Sequence, residues 1–132
     1  MAVIPDQYVD LLTQKKAFAG LATVMPDGSP QVTPVWFDYT NGKIRINTAR
    51  GRVKAKNMKV GANVALAIVD PDNVYRYIGI RGPVIAEDEK SADAHIDSLA
   101  KKYLNQDKYP FRTPGEKRVT YVIEPASVHV MG

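Results

Sequence analysis

The 132-residue chain has no cysteine, which removes disulfides, thiolate metal sites and a cysteine nucleophile, while leaving the compartment open. Its two histidines, His95 and His129, are too few for a histidine-rich metal cluster, and no metal site is expected. No apolar run approaches the roughly 20 residues of a membrane-spanning helix. The amino terminus lacks the basic, apolar and small-residue succession of a signal peptide, so a cytoplasmic location is expected. Charge of one sign is also scarce in excess. Eighteen Lys and Arg stand against fourteen Asp and Glu, for a net charge of +4. That is a mild bias toward an anionic partner and far from a histone-like balance. Repeats and low-complexity segments are absent too. What remains, 45% hydrophobic and 24% charged residues, is the composition of a soluble globular protein, and the length fits a single domain over residues 1–132.

Hydrophobic spacing sets out the elements. Pro5 suits the first turn of a short amino-terminal helix in which Tyr8, Leu11 and Leu12 recur at helical spacing. Ala17 to Met25 is a short apolar run that enters the turn Pro26-Asp27-Gly28, and it reads as a strand. Its partner is Gln31 to Tyr39. Asn41-Gly42, where both residues tolerate positive φ, predicts a hairpin into Lys43 to Thr48, with Ile44 and Ile46 on one face and Lys43, Arg45 and Asn47 on the other. After Gly51 the alternation stops, and a helix of about two turns ending near Gly61 is expected. Asn63 to Val69 is a buried strand. Tyr75 to Ala86 is a long strand with a bend at Gly82-Pro83, as at a barrel corner. Ala92, Ile96, Leu99, Ala100 and Tyr103 mark the main helix, with Asp88 or Ser91 as its cap and Lys101-Lys102 in its last turn. Asn105 to Lys117 is a loop, and Val119 to Val130 returns to strand. The expected fold is mostly β: a six-stranded antiparallel barrel with flanking helices.

The densest charge lies in NTARGRVKAKNM, where Arg50, Arg52, Lys54 and Lys56 fall at every second position. A run of surface cations is ordinarily a solvated face. Here a glycine at a strand exit precedes a helix start, a place where free backbone donors and the helix dipole favour a phosphate. Cations near that end sit badly against the dipole unless an anion lies among them. Arg50, Arg52 and Lys54 are therefore assigned to an anionic ligand, and Lys56 and Lys59 to solvent.

The segments AGLATVMPDGSPQVTPVWFDY, INTARGRVKAKNM, DPDNVYRYIGIRGPV and DAHIDSLAKKYLNQDKYPFRTPGEKRV, in this order and spacing, resemble the split β-barrel flavin and deazaflavin oxidoreductases related to pyridoxamine 5′-phosphate oxidase. The Gly-Arg-x-Lys-x-x-Asn pattern is most similar to the branch that uses coenzyme F420, a deazaflavin with a phosphodiester and an oligoglutamate tail. The resemblance implies a homodimer with the cofactor at the interface. It implies that Thr48, Arg50, Arg52 and Lys54 hold the cofactor phosphate, that Asn47 and Gly51 also bind the cofactor, and that Thr33, Pro34, Val35 and Trp36 lie along the ring. It further implies that Tyr75, Arg76 and Tyr77 reach the cofactor bound mainly to the partner subunit. FMN is the alternative cofactor; having no carboxylate tail, it makes less use of the surplus cations Lys54, Lys56 and Arg76.

Other residues divide less sharply. Trp36 either lines the ring or packs in the core. Tyr109-Pro110-Phe111 either edges the substrate pocket of the other subunit or anchors its own loop. His95 reads as a surface residue and His129 as structural, a thin argument for haem. No catalytic acid or base is assigned. The chain ends at ASVHVMG, without the Arg-and-His substrate signature of the oxidase proper, so vitamin B6 oxidation is not expected. The function expected is hydride transfer from reduced F420 to an oxidised small molecule, such as a biliverdin-like tetrapyrrole, a quinone or an enone. Two rivals from another class are a barrel for single-stranded nucleic acid built on Lys43, Arg45 and the basic segment, disfavoured by the modest charge, and a non-catalytic cofactor carrier.

Overall fold

In the computed structural model, which describes residues 2–132, one antiparallel sheet runs in the order β2-β1-β5-β6-β7-β4-β3, with β8 paired to β6. The strands are β1 (Ala19–Val24), β2 (Pro30–Val35), β3 (Phe37–Thr40), β4 (Lys43–Ala49), β5 (Asn63–Asp70), β6 (Asn73–Asp88), β7 (Arg118–Ile123) and β8 (Ser127–Met131). Helices α1 (Val9–Thr13), α2 (Val53–Asn57) and α3 (Ala92–Leu104) flank them. This is the mostly β split barrel expected. Eight strands replace six because two runs each break in two: Gln31 to Tyr39 at Trp36, and Val119 to Val130 at Glu124-Pro125-Ala126.

Strand β6 creates the split. Its first part pairs with β5 and β8, and its last residues, from Val84 on, pair with β7. The change of partner falls beside Gly82-Pro83, the predicted bend. A Cβ on Gly82 would lie 1.9 Å from the Glu124 carbonyl oxygen, so backbones touch at this corner and no side chain fits. The Asn41-Gly42 hairpin also forms as expected, with φ of 54° and 77°.

Two apolar layers result. The barrel interior holds Leu21, Phe37, Ile44, Ile46, Ile68, Ile78, Tyr121 and Ile123, and the amino-terminal helix closes one end with Tyr8, Leu11 and Leu12. Each such side chain contributes about 1.5 to 3 kcal/mol on burial. The second layer lies where α3 sets Ile96, Leu99 and Tyr103 against Trp36 and Tyr109. Tyr103 ties the layers together: its hydroxyl donates to the Ala17 carbonyl at 2.6 Å and accepts from the Phe37 amide at 3.4 Å. Lys102 turns inward as well. Its Nζ donates to the Phe37 carbonyl at 2.9 Å rather than resting at the helix end in water.

The expected surface position of His95 is corrected by the fold. It is 4% exposed on the buried side of α3, with Nδ1 2.8 Å from Thr120 Oγ1 and Nε2 3.1 Å from Asp38 Oδ2. Arg45 forks onto the same carboxylate at 2.7 and 2.8 Å. Burial raises the Asp38 pKa, but the hydrogen bonds from His95 and Arg45 outweigh it and hold the group below its ordinary value. Among the described residues, no helix is long and apolar enough to cross a membrane. No group of three or more His, Cys, Asp or Glu among them is placed to hold a metal.

Candidate cofactor cleft

Strand β4 alternates cleanly, burying Ile44, Ile46 and Thr48 in the barrel and turning Arg45 and Asn47 toward α3. Opposite Asn47 in register stands Thr120, and opposite Ala49 stands Arg118. Beyond the end of β3 this face is left uncovered, and a cleft of about 280 Å³ opens there. Val35 and Trp36, where the β2 to β3 run breaks, form one apolar wall, with Phe18, Ile96, Tyr109 and Phe111 around it. The Trp36 ring stacks on Tyr103 at 5.1 Å and 7°, and Tyr109 meets it edge-on at 6.0 Å. Trp36 thus packs in the second layer on one side and lines the cleft as well. Tyr109 is anchored by its amide, which donates to Asp97 Oδ1 at 2.8 Å.

Arg52, Lys54 and Arg118 bring positive charge to the same cleft. Lys54 is half-buried, and burial together with the nearby Arg52 and Arg118 lowers its pKa below the ordinary lysine value. Three cations share a small space. Asn47 is held by its Nδ2, which donates to the Ala92 carbonyl at 2.8 Å, while its Oδ1 is buried without a hydrogen-bond partner. The hydroxyls of Thr33 and Thr48 are likewise buried and unpaired. A buried acceptor left in this state costs about 1 to 3 kcal/mol, which a ligand donor would recover.

Of the residues expected to hold a cofactor, Pro34, Val35, Trp36, Asn47, Arg52 and Lys54 converge on this cleft. Thr33 and Thr48 neighbour it in sequence. Arg50 and Gly51 do not join them; they face a separate cavity with Lys56 and Lys59, and Arg50 is held by Glu87 at 3.2 Å and Glu89 at 2.9 Å. Tyr75, Arg76 and Tyr77 lie at the far end, at the start of β6. Tyr75 is 79% exposed, whereas Arg76 is bound within its own chain to Asp10 at 2.6 Å and Asp70 at 2.8 Å. The helix expected after Gly51 has five residues rather than two full turns, so its dipole is small and the side-chain cations carry the local field. Arg118 went unnoticed in the sequence. It opens a strand, with no cationic neighbour pattern to distinguish it from Lys117.

An antiparallel barrel divided at one bent strand defines the split-barrel class, here with an aromatic and cationic cleft beside the barrel. The model of the pyridoxamine 5′-phosphate oxidase family matches residues 4–132, and the chain belongs to that family. It is similar to a solved F420 reductase, with 32% identity over 96% of this chain and 98% of the other and a TM-score of 0.81. It shares its fold with the FAD and heme binding protein of Mycobacterium smegmatis, at 15% identity, 98% and 71% coverage and TM-score 0.70. The General Stress Protein 26 of Bacillus anthracis has the same fold, at 17% identity, 95% and 92% coverage and TM-score 0.65. No curated protein matches the chain.

Proposed function

We propose that the chain is a homodimeric oxidoreductase that uses reduced coenzyme F420 to pass a hydride to an oxidised small organic molecule of the tetrapyrrole, quinone or enone kind. The observation that carries this reading is the meeting, in one cleft, of an apolar aromatic wall with Arg52, Lys54 and Arg118. A flat ring with an anionic tail asks for that pairing. The 32% identity to an F420 reductase supports it. The polar lining also fits: the unpaired acceptor Asn47 Oδ1 suits a ring N–H, and the cations suit a phosphodiester.

The bound deazaflavin would supply the hydride. The chain's own residues bind, orient and exclude water. Val35 and Trp36 hold the ring plane, Arg52 and Lys54 hold the anionic arm, and the Tyr109 to Phe111 loop covers the rim. The cleft is open on one side, which suits completion by a second copy. The sheet face of Gly20, Ala22, Ala65, Ala67 and Gly79, with His129 at its edge, is low and lined by small residues, as close sheet packing requires. Tyr75 and Tyr77 at the exposed start of β6 would then reach toward the partner's cleft.

FMN is a second reading, and Arg76 favours it. Its commitment to Asp10 and Asp70 removes one of the surplus cations that an oligoglutamate tail would use. Equilibrium binding of F420, FMN and haem to one preparation, followed by turnover with a quinone or dye acceptor, tests the proposal. Failure of F420 to bind, with FMN binding tightly, moves the assignment to FMN. Cofactor binding without turnover leaves a carrier. Sedimentation checks the assembly, and a monomer with full F420 affinity refutes the interface arrangement.

A further inference from the structure

Beside the cleft one acidic side chain stands against two of the cations that line it. Glu116 is 11% exposed at its side chain, with Oε1 3.0 Å from Arg118 Nε and Oε2 3.9 Å from Arg52 Nη2. Thr113 Oγ1 donates to Oε2 at 3.3 Å. Arg118 is itself 4% exposed, and the Tyr109 ring covers one face of its guanidinium at 4.8 Å. Its Nε is close enough to Glu116 for an ion pair but lacks hydrogen-bond alignment. Among the described residues, Glu116 is the one carboxylate within ion-pairing distance of Arg118 or Arg52, and none pairs with Lys54.

We propose that Glu116 is the built-in occupant of the cleft's anion subsite. Its carboxylate holds Arg118 and Arg52 in the empty protein, and a ligand phosphate or carboxylate must compete with it for them. Arg118 thereby becomes a third ligand-binding cation beside Arg52 and Lys54. Two features separate the competitor from the cations it neutralises. Arg118 is fixed in the β7 ladder opposite Ala49, whereas Glu116 belongs to a turn, its amide donating to the Thr113 carbonyl at 3.2 Å after Gly115 at φ +79°. The carboxylate can therefore withdraw while the guanidinium stays. The charges also fail to balance, since three cations face one carboxylate. Room is left for an anionic ligand, while an uncharged ring compound gains nothing from displacing Glu116. The competition rests on these side chains alone; that the ligand is a deazaflavin rests on the proposed function.

The test uses the full chain with F420, with 8-hydroxy-5-deazariboflavin, which lacks the phosphodiester and tail, and with inorganic phosphate. Glu116→Gln is expected to tighten F420 binding about tenfold, the weight of one charge-assisted contact freed from competition. Binding of the phosphate-free deazariboflavin should stay unchanged. Adding Arg118→Gln to that variant removes the freed cation without leaving a buried charge unpaired, and F420 affinity should fall back about tenfold by the same conversion. Equal or weaker F420 binding by Glu116→Gln, or no loss on adding Arg118→Gln, overturns the proposal. Should Glu116→Gln fold poorly, Glu116→Asp withdraws the carboxylate by one methylene. Tighter F420 binding than wild type is again expected, and equal or weaker binding again overturns it. Phosphate raising the melting temperature of Glu116→Gln more than that of wild type, with no F420 binding by either, upholds the competition and removes the deazaflavin. F420 binding that ignores Glu116 removes the competition and leaves the deazaflavin.

Discussion

Replacing Lys54 by alanine is expected to separate binding from stability. In the empty protein Lys54 is half-buried beside Arg52 and Arg118, no carboxylate among the described residues pairs with it, and its pKa is lowered by burial first and by those two cations next. Its charge is therefore a local burden on the folded state. Removing it should leave the melting temperature unchanged or higher, as at other sites that trade stability for function. With ligand bound, the same ammonium makes a charge-assisted contact worth roughly 1.5 to 3 kcal/mol. Loss of that contact weakens F420 binding about tenfold or more. The pH dependence has a definite sign. Because the folded pKa lies below the unfolded one, the folded protein binds fewer protons in that window, so Lys54 favours stability more as pH rises toward 10.5. Cofactor affinity should fall over the same range. Lys56→Ala is the control, since Lys56 faces the other cavity with Arg50 and Lys59. Fluorescence titration and thermal unfolding of the three proteins decide the matter. Equal loss of affinity in both variants, or a melting temperature several degrees lower in Lys54→Ala, would refute the reasoning.

Gly82→Ala should destabilise the fold by about 3 kcal/mol, the upper range of overpacking, because its Cβ would meet the Glu124 carbonyl at 1.9 Å. Urea unfolding measures this, and a loss below about 1 kcal/mol would mean that the corner yields. Burial raises the Tyr103 pKa to about 12. The stability this buried phenol confers is thus present below pH 10 and lost as pH rises through 12; Tyr103→Phe should show a shallower alkaline decline, and parallel curves would contradict it. F420 affinity should fall with ionic strength, more steeply for longer tails. Steep salt-dependent binding of single-stranded nucleic acid without deazaflavin binding would replace the enzyme with a nucleic-acid barrel.

Whatever depended on near neighbours was legible in the sequence. The Asn41-Gly42 hairpin, the bend at Gly82, the α3 repeat from Ala92 to Tyr103 and the inward Ile44 and Ile46 each follow from spacing or from the φ a residue tolerates. Most of the cleft's own residues, Pro34 to Trp36 with Asn47, Arg52 and Lys54, were found because they fall in two short stretches of chain. What depended on register between distant strands was not. Trp36 lies between the end of β2 at Val35 and the start of β3 at Phe37, a break that alternation alone does not mark. His95 carries no sign of burial until α3 is laid over Asp38 and Thr120. Spacing grouped Arg50 with Arg52 and Lys54, yet the chain turns at Gly51 with φ +93° and sends Arg50 to Glu87 and Glu89. Arg118 enters the cleft, and brings Glu116 beside it, because β7 pairs with β4 across some seventy residues, with Arg118 opposite Ala49. Local preference can fix which face a side chain takes, but pairing over that distance decides which charges meet, since the free energy that brings them together belongs to the barrel as a whole.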